Sequence, residues 1–252
     1  MTRLTAIILT RNESAHIVAC IDSVRFSDDI LVFDSFSKDD TVALAEAAGA
    51  RVQQQRFVDY PTQRNAALDA ASDADWVLFV DADERVTPEL AAEVRAVIAQ
   101  PGYVGWRIPR HNYIFGKLTR WAGWYPDYQT RLLKVGRARY DPQRQVHEVV
   151  ILDGALGTLE QALVHYNYRD AAHFASKQRQ YAAYDARILY QQGIRPRPHN
   201  FILQPLRQFY WRYITLQGYR DGFHGLRLSV LMGRYEFYKY RLLRDLWRSE
   251  VV

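Results

Sequence analysis

The sequence has a single cysteine, Cys20, among its 252 residues. One thiol excludes an intramolecular disulfide and a cysteine-rich zinc site. The opening Met-Thr-Arg-Leu-Thr-Ala-Ile-Ile-Leu is too short in apolar length for a secretory signal peptide. No uncharged apolar run approaches the roughly 18 to 20 residues that span a bilayer. These absences predict a cytoplasmic protein without a membrane-spanning segment.

Two glycine-rich phosphate-binding motifs are also missing, because neither G-x-G-x-x-G nor G-x-x-x-x-G-K-[ST] occurs. In those motifs, backbone N–H groups cradle the phosphates of a nucleotide. Their absence argues against a Rossmann dehydrogenase and against a P-loop NTPase. No helix-turn-helix, RNA-recognition or zinc-finger pattern is present, which argues against a nucleic-acid partner.

The net positive charge of the chain comes entirely from a segment near its end. Residues 195–250 carry 11 Lys and Arg against 4 Asp and Glu, a net charge of +7, whereas the remaining residues have a net charge of −2. The same segment holds 12 of the 34 aromatic residues. Arginine with Tyr, Trp and Phe at this density is typical of a surface that meets anionic lipid headgroups. It predicts peripheral attachment to the inner face of the cytoplasmic membrane.

The stretch from Asp75 to Glu84 organises the rest of the chain. The apolar run Trp76 to Val80 predicts a strand buried on both faces, and it ends in Asp81-Ala82-Asp83-Glu84. Ligands of open α/β sheets bind at the carboxyl ends of strands, and two such carboxylates suit a hard divalent cation on a diphosphate. The alternative is a solvated turn in which an aspartate caps the next helix.

Strands and helices alternate through the first hundred residues, which predicts a parallel sheet with right-handed crossovers. The predicted elements are strands at Leu4 to Thr10, Ile30 to Phe33, Arg51 to Gln54 and Trp76 to Val80, and helices at Ser14 to Val24, Thr41 to Ala48, Pro61 to Ala71 and Pro88 to Gln100. Short strands then follow at about Trp106 to Pro109, Arg131 to Lys134, Glu148 to Leu152 and Ala162 to His165. They predict a mixed sheet.

The last third of the chain is predicted to be helical. One helix is expected from Ala171 to Gln192, with Phe174, Tyr181, Tyr184 and Ile188 on its buried stripe. After the stiff linker Arg195 to Pro198, amphipathic helices are expected at Phe201 to Gln217 and Leu226 to Trp247, separated by Gly218 and by Gly222 to Gly225. Their apolar stripes are Phe201, Phe209, Tyr213 and Leu216, then Leu228, Leu231, Tyr235, Tyr238 and Leu242. These stripes suit a membrane, the catalytic domain or a second copy of the chain.

Three groups of polar residues lie at the ends of predicted strands: Thr10 to Glu13, Asp34 to Thr41, and Asp81 to Asp83. In a parallel sheet they meet at one edge and outline a nucleotide site. Asp34 would accept a hydrogen bond from a ribose hydroxyl or a base N–H group. Asp83 would bind a metal ion.

In its motifs the chain resembles a known family, the inverting glycosyltransferases of family 2 with the GT-A fold. The resemblance rests on Thr10-Arg11-Asn12-Glu13, the run from Asp34 to Thr41, Gln63-Arg64-Asn65 and the D-x-D motif at Asp81 to Asp83, in that order. Within the family it is similar to bacterial lipopolysaccharide inner-core β-1,4-glucosyltransferases through Trp124-Tyr125-Pro126-Asp127, Arg131-Leu132, Val146-His147-Glu148 and the basic aromatic tail.

The resemblance implies an α/β GT-A catalytic domain at 1–193, with a Rossmann-like nucleotide-sugar half at 1–100, a mixed-sheet acceptor half at 101–170, and a helical segment at 194–252. It implies a UDP-sugar donor and Mg²⁺ or Mn²⁺ as cofactor. The implied nucleotide-sugar ligands are Thr10, Asn12, Glu13, Asp34, Gln63, Arg64, Asp81 and Arg131. The implied metal ligands are Asp83, Asp81 and His147.

Inversion requires a carboxylate that takes the proton of the acceptor hydroxyl. The resemblance assigns this role to Asp127, with Glu148 as the alternative. Trp121, Trp124 and Tyr125 have flat apolar faces suited to stacking on an acceptor sugar, although an aromatic core would use them as well. The predicted activity is transfer of a hexose, glucose from UDP-glucose, to a lipopolysaccharide core or other lipid-linked glycan.

Two other classes remain open from sequence. A sugar-phosphate nucleotidyltransferase shares a similar sheet, but it would be expected to carry a glycine-rich loop where this chain has Thr10 to Glu13. A catalytically silent protein could use the basic tail as a membrane adaptor. Hydrolysis of a UDP-sugar by the purified protein separates the second class from an enzyme.

Overall fold

The structure is a computed structural model that describes residues 2–143 and 149–249. The chain divides into two compact units. The first comprises Met1–His111 and Asp127–His165, and the second comprises Asn112–Pro126 and Tyr166–Val252. The predicted division into a catalytic domain at 1–193 and a helical segment at 194–252 stays a prediction.

The first unit begins with the predicted alternation of strands and helices. In chain order the elements are β1 Leu4–Thr10, α1 Ile17–Ser23, β2 Asp29–Asp34, α2 Thr41–Ala47, β3 Arg51–Gln54, α3 Tyr60–Ala70, β4 Trp76–Asp81, β5 Glu84–Arg85 and α4 Pro88–Val97. Strands β3, β2, β1 and β4 lie side by side in that order and are all parallel. The predicted parallel half is therefore confirmed.

The central strands are apolar throughout because both faces of the sheet are covered. Ala6, Ile8 and Val80 belong to one buried cluster, whereas Ile7 and Phe79 belong to another. Successive side chains of a strand point to opposite faces, so a strand between two layers needs apolar residues at every position. This requirement explains the uninterrupted apolar runs that marked β1 and β4 in the sequence.

The remainder of the sheet is mixed. Its further strands are β6 Tyr103–Ile114, β7 Lys117–Leu118, β8 Tyr128–Lys134, β11 Ala155–Thr158 and β12 Leu163–Tyr168, and two more strands, β9 Ala138–Tyr140 and β10 Val150–Leu152, lie outside it. Strand β8 is antiparallel to β4 and β6, β11 is parallel to β6, and β12 pairs with β5 through His165 and Glu84. Strands β9 and β10 form a separate antiparallel pair. A parallel half followed by a mixed half confirms the predicted α/β, GT-A architecture.

The second unit is mainly helical and contains α5 Ala171–Gln191, α6 Asn200–Tyr210 and α7 Gly222–Ser249. A π-helical turn, Trp211–Thr215, and a 3₁₀ turn, Gly218–Asp221, connect α6 to α7. Both α5 and α6 pack against α7. The predicted C-terminal helices are confirmed. The predicted separation at Gly222 to Gly225 is wrong, because α7 starts at Gly222.

The buried stripe predicted for α5 is also wrong at Tyr181 and Tyr184. The buried residues are Phe174, Gln178, Ala182 and Ala186, four positions apart, whereas Tyr181 and Tyr184 are exposed. The reason is that small side chains occupy much of the inward face, so the large rings that suggested the stripe lie outside it. Among the described residues, no helix combines the length and apolar character needed to cross a membrane.

Candidate active site

Asp34 lies at the carboxyl end of β2 with no exposed surface. Its carboxylate accepts hydrogen bonds from the backbone N–H of Ser37 at 2.9 Å, from the Ser37 hydroxyl, and from Nε2 of Gln54 at 2.9 Å. Ser37 is reached through a turn in which Phe36 has a φ of 57°. These bonds hold the carboxylate in one orientation at the edge of the sheet.

The segment after β1 is tied to the segment after β2. The register pairs Thr10 with Asp34, and Asn12 donates its backbone N–H to Oγ of Ser37 at 2.8 Å. Asn12 Oδ1 accepts the backbone N–H of Lys38 at 2.8 Å, and Glu13 donates its backbone N–H to Oγ1 of Thr41 at 2.9 Å. The structure therefore brings the predicted residues Thr10, Asn12, Glu13 and Asp34 together.

The start of α3 contributes two buried polar side chains. Asp59 caps the helix by accepting the backbone N–H of Thr62 at 2.8 Å. Gln63 donates from Nε2 to Oγ of Ser35 at 3.1 Å, and its Oε1 has no hydrogen-bond partner among the described residues. The Arg64 guanidinium lies 5.2 Å from the Phe79 ring centroid. Arg64 is buried, so it is not a surface cap of the helix.

Asp81 ends β4 and is held by two arginines. Arg64 donates to its Oδ1 at 3.3 Å, and Arg131 of β8 donates from Nη1 to Oδ1 at 3.2 Å and from Nη2 to Oδ2. Burial acts to raise the pKa of Asp81, but the charges of Arg131 and Arg64 outweigh it and hold the pKa well below its usual value. Asp81 is therefore ionised at neutral pH.

Glu84, fully buried at the start of β5, extends this network. Its Oε2 accepts the backbone N–H of Asp81 at 2.9 Å, and its Oε1 accepts from Arg131 at 3.3 Å and from Arg110 at 3.2 Å. A buried carboxylate is tolerated when cations and donors compensate its charge in this way. Glu84 therefore closes the turn that presents Asp81 and Asp83.

The network reaches the predicted catalytic residue through Arg110 on β6. Arg110 donates from Nε at 3.0 Å and from Nη2 at 2.6 Å to the same oxygen, Oδ2 of Asp127. Gln129 donates from Nε2 to Oδ1 of Asp127 at 2.9 Å. Basic and acidic side chains thus alternate along a continuous line from Arg64 to Asp127. We call this line the charge chain; its members are Arg64, Asp81, Arg131, Glu84, Arg110 and Asp127.

Asp83 points to a different neighbour. Its Oδ2 lies 3.6 Å from Nε2 of His165, which β12 brings beside β5. The described residues contain no group of three or more His, Cys, Asp or Glu side chains placed to hold a metal ion. The predicted ligand His147 and the alternative base Glu148 lie outside the described residues.

The predicted acceptor residues Trp121, Trp124 and Tyr125 belong to the second unit. The Trp121 ring has the Arg220 guanidinium 4.0 Å from its centroid, and its backbone N–H donates to Asp221 at 2.9 Å. The Trp124 ring has the Arg212 guanidinium 5.2 Å from its centroid. Desolvation by burial lowers the pKa of Arg212 to about 10. Both tryptophan rings thus already contact an arginine of the second unit.

Sequence reasoning missed three residues of the site. Glu84 was visible as the last member of the acidic run, and its spacing of three from Asp81 was the available signal. Arg110 and His165 carry no motif, because each joins the site through strand pairing between distant parts of the chain.

Comparison with known proteins identifies the same family that the sequence motifs resemble. Residues 5–155 match the family model described as Glycosyl transferase family 2. The lipopolysaccharide core biosynthesis glycosyltransferase LpsC of Rhizobium meliloti (strain 1021) is 30% identical over 248 residues, which cover 93% of this chain and 89% of that protein. An uncharacterized glycosyltransferase of Rickettsia felis (strain ATCC VR-1525 / URRWXCal2) is 27% identical, covering 97% of this chain and 90% of that protein.

Among solved structures, a crystal structure of glucosyl-3-phosphoglycerate synthase from Mycobacterium tuberculosis is similar at a TM-score of 0.46 and 20% identity. The alignment covers 77% of this chain and 81% of that chain. That protein was crystallised in complex with Mn²⁺, uridine diphosphate and glucosyl-3-phosphoglycerate.

Proposed function

This chain belongs to glycosyl transferase family 2, and we propose that it transfers glucose from UDP-glucose, with inversion, to a saccharide of the lipopolysaccharide core. The observation that carries the proposal is the edge of the parallel sheet, where Asp34 ends β2, Asp81 ends β4 and Asp83 follows two residues later, with β1 between the two strands. The name of LpsC supports the acceptor class. The family match favours neither a nucleotidyltransferase nor a silent membrane adaptor.

The nucleoside of the donor is assigned to the edge of the sheet around Asp34. Asp34 accepts from N–H or O–H donors, as a uracil base or a ribose would present them. Beside it, Oγ1 of Thr10 and Oε1 of Gln63 are buried and have no hydrogen-bond partner among the described residues. A buried polar atom without a partner costs roughly 1–3 kcal/mol. A ligand that satisfied these atoms would regain part of that free energy on binding.

A divalent cation fits the donor atoms of Asp83 and His165. A carboxylate oxygen and an imidazole nitrogen 3.6 Å apart are close enough to bind one ion. Mg²⁺ and Mn²⁺ sites commonly use one or two protein ligands and take the rest from substrate phosphates and water. When bound, such an ion would neutralise charge on the departing diphosphate. Asp81 and His147 stay predicted ligands.

Asp127 is assigned as the general base. As the acceptor oxygen forms its bond to the anomeric carbon, the bond from that carbon to the diphosphate oxygen breaks, and the hydroxyl proton passes to the Asp127 carboxylate. Arg110 fixes the direction of this carboxylate through two hydrogen bonds to one oxygen.

The decisive experiment measures UDP release by the purified protein from UDP-glucose, with a lipopolysaccharide core acceptor, with and without Mn²⁺. We expect transfer that depends on the metal. Asp83→Asn should lower turnover by about 10²-fold or more because a charged ligand is lost. It should also weaken Mn²⁺ binding in the presence of UDP, measured by calorimetry.

The matched control is Asp153→Asn, because the Asp153 side chain is 82% exposed in the same unit. It should leave both turnover and Mn²⁺ binding unchanged. Full activity of Asp83→Asn in metal-free buffer would refute the metal assignment. Absence of transfer from any UDP-hexose to core acceptors would refute the proposed donor and acceptor.

A further inference from the structure

Helix α6 is apolar on two opposite faces, and one of them is used for packing. The Phe201 ring lies 5.9 Å from the Phe237 ring of α7. A Cβ atom at Gly233 would lie 3.0 Å from the Pro205 carbonyl oxygen, so glycine allows α6 and α7 to approach closely there. Phe209 stacks on Tyr213 at 5.4 Å between ring centroids. The apolar stripe predicted from sequence is therefore largely the packing face.

The second apolar face of α6 points into solvent. Ile202 is 63% exposed, Leu203 58%, Leu206 58% and Tyr210 60%, and Ile214 in the following turn is 43% exposed. Ile202, Leu206, Tyr210 and Ile214 recur every four residues, and Leu203 lies three residues before Leu206, so the five form one stripe along the helix. We call these five residues the outer face of α6. None of them belonged to the stripes predicted from sequence.

An exposed apolar stripe of this kind marks a surface that meets a partner or a membrane. The charge of the surrounding segment distinguishes a protein partner from a membrane. Residues 186–220 contain six arginines and no aspartate or glutamate. Arg212 is engaged inside the unit, where it donates to the Ala122 carbonyl at 2.7 Å, and Arg220 lies over the Trp121 ring, but Arg207 is exposed on α6 itself. Cations flanking an apolar stripe complement the negative surface of an anionic bilayer.

We propose that the outer face of α6 inserts into the headgroup layer of an anionic lipid bilayer. The side chains of Ile202, Leu203 and Leu206 would enter the acyl boundary, and the tyrosine and the flanking arginines would lie at headgroup level. A second copy of the chain fits this surface less well, since a symmetric contact would bring two acid-free arginine segments together. The benefit to the enzyme rests on the proposed function, in which the acceptor is lipid-linked.

The test is co-sedimentation of the full-length protein with vesicles. We expect binding to phosphatidylglycerol-containing vesicles, little binding to pure phosphatidylcholine vesicles, and release by added salt. The double variant Leu203→Glu with Leu206→Glu should lower the partition coefficient about tenfold or more, because both apolar anchors become anionic. The control Ile151→Glu makes the same kind of change at a residue that is 57% exposed in the first unit. It should bind vesicles like the parent.

Equal sedimentation of the parent protein with anionic and neutral vesicles would overturn the proposal, and this readout needs no variant. A double variant that keeps vesicle binding would also overturn it. If the parent is a dimer in analytical ultracentrifugation and the double variant a monomer, the outer face is a subunit interface instead. Transfer to a lipid-free core oligosaccharide should be the same in parent and double variant. If neither the parent nor the double variant transferred glucose to this oligosaccharide, the proposed function would be contradicted. The result of the vesicle experiment would not depend on that outcome.

Discussion

Both carboxylate oxygens of Asp81 accept hydrogen bonds from the two terminal nitrogens of Arg131. The side chain of Arg131 is 5% exposed, so this pair lies in a region of low dielectric. Burial opposes the charge on Arg131, but Asp81 and Glu84 raise its pKa above the usual value. The pair thus joins the strand that carries the D-x-D motif to the strand of the predicted acceptor half, and it stays charged under working conditions.

Replacement of Asp81 should change the acid stability of the protein. The folded-state pKa of Asp81 is lowered, so its contribution to stability is complete above the unfolded value of about 3.9 and is lost as the pH falls through the lowered folded value. We expect Asp81→Asn to lower the free energy of unfolding at neutral pH by about 3 kcal/mol, since two buried arginines lose a partner. Below about pH 4 the variant should lose less additional stability than the parent. Urea denaturation across this pH range measures both effects.

The exposed Asp153→Asn variant is the control for that series, and its stability should follow the parent at every pH. If the stability curves of Asp81→Asn and the parent run parallel below about pH 4, Asp81 does not carry the acid sensitivity assigned to it.

Glu84→Gln tests whether the centre of the charge chain holds the site. Glutamine preserves the shape of the side chain but leaves Arg110 and Arg131 without their shared negative charge. We expect a loss of unfolding free energy on the order of 3 kcal/mol. The rate of transfer should fall as well, because the turn that presents Asp81 and Asp83 loses its fixed acceptor. Glu46→Gln, at an exposed position of α2, should change neither denaturation nor turnover. Parent-like stability of Glu84→Gln would contradict the role of the buried charge.

Arg110→Gln should lower the rate of transfer about tenfold or more if Asp127 is the base, because the carboxylate loses the two hydrogen bonds that fix its direction. Asp127→Asn should lower transfer by about 10²-fold or more at every pH, with nearly unchanged binding of the UDP-sugar. Steady-state assays across the pH range, together with calorimetric donor binding, separate these effects.

The control for these assays is Arg107→Gln, on the same strand, where the exposed Arg107 side chain donates to Thr158 at 2.7 Å. It should leave the rate of transfer unchanged. Normal transfer by Asp127→Asn combined with an inactive Glu148→Gln would reassign the base to Glu148. Parent-like transfer by Arg110→Gln would mean that this arginine does not position the base.

Local apolar pattern was sufficient to predict the strands that position the nucleotide-binding residues. The runs Leu4 to Thr10 and Trp76 to Val80 are apolar at almost every position because each strand is buried on both faces. Parallel strands end at a common edge, so the positions of Asp34 and Asp81 followed from chain order alone. Short strands such as β5 and β9 were not predicted, because two or three residues carry no periodic signal.

The sequence by itself determined the family, the parallel half of the sheet and the acidic residues at its edge, since each depends on contiguous residues or on motifs in a set order. Only the tertiary structure decided that Glu84 and Arg110 connect Asp81 to Asp127, and that His165 faces Asp83. These contacts join strands far apart in the chain, whose pairing no local pattern specifies. It also decided which face of α6 meets solvent. Both faces are apolar, and α7 partly covers one of them.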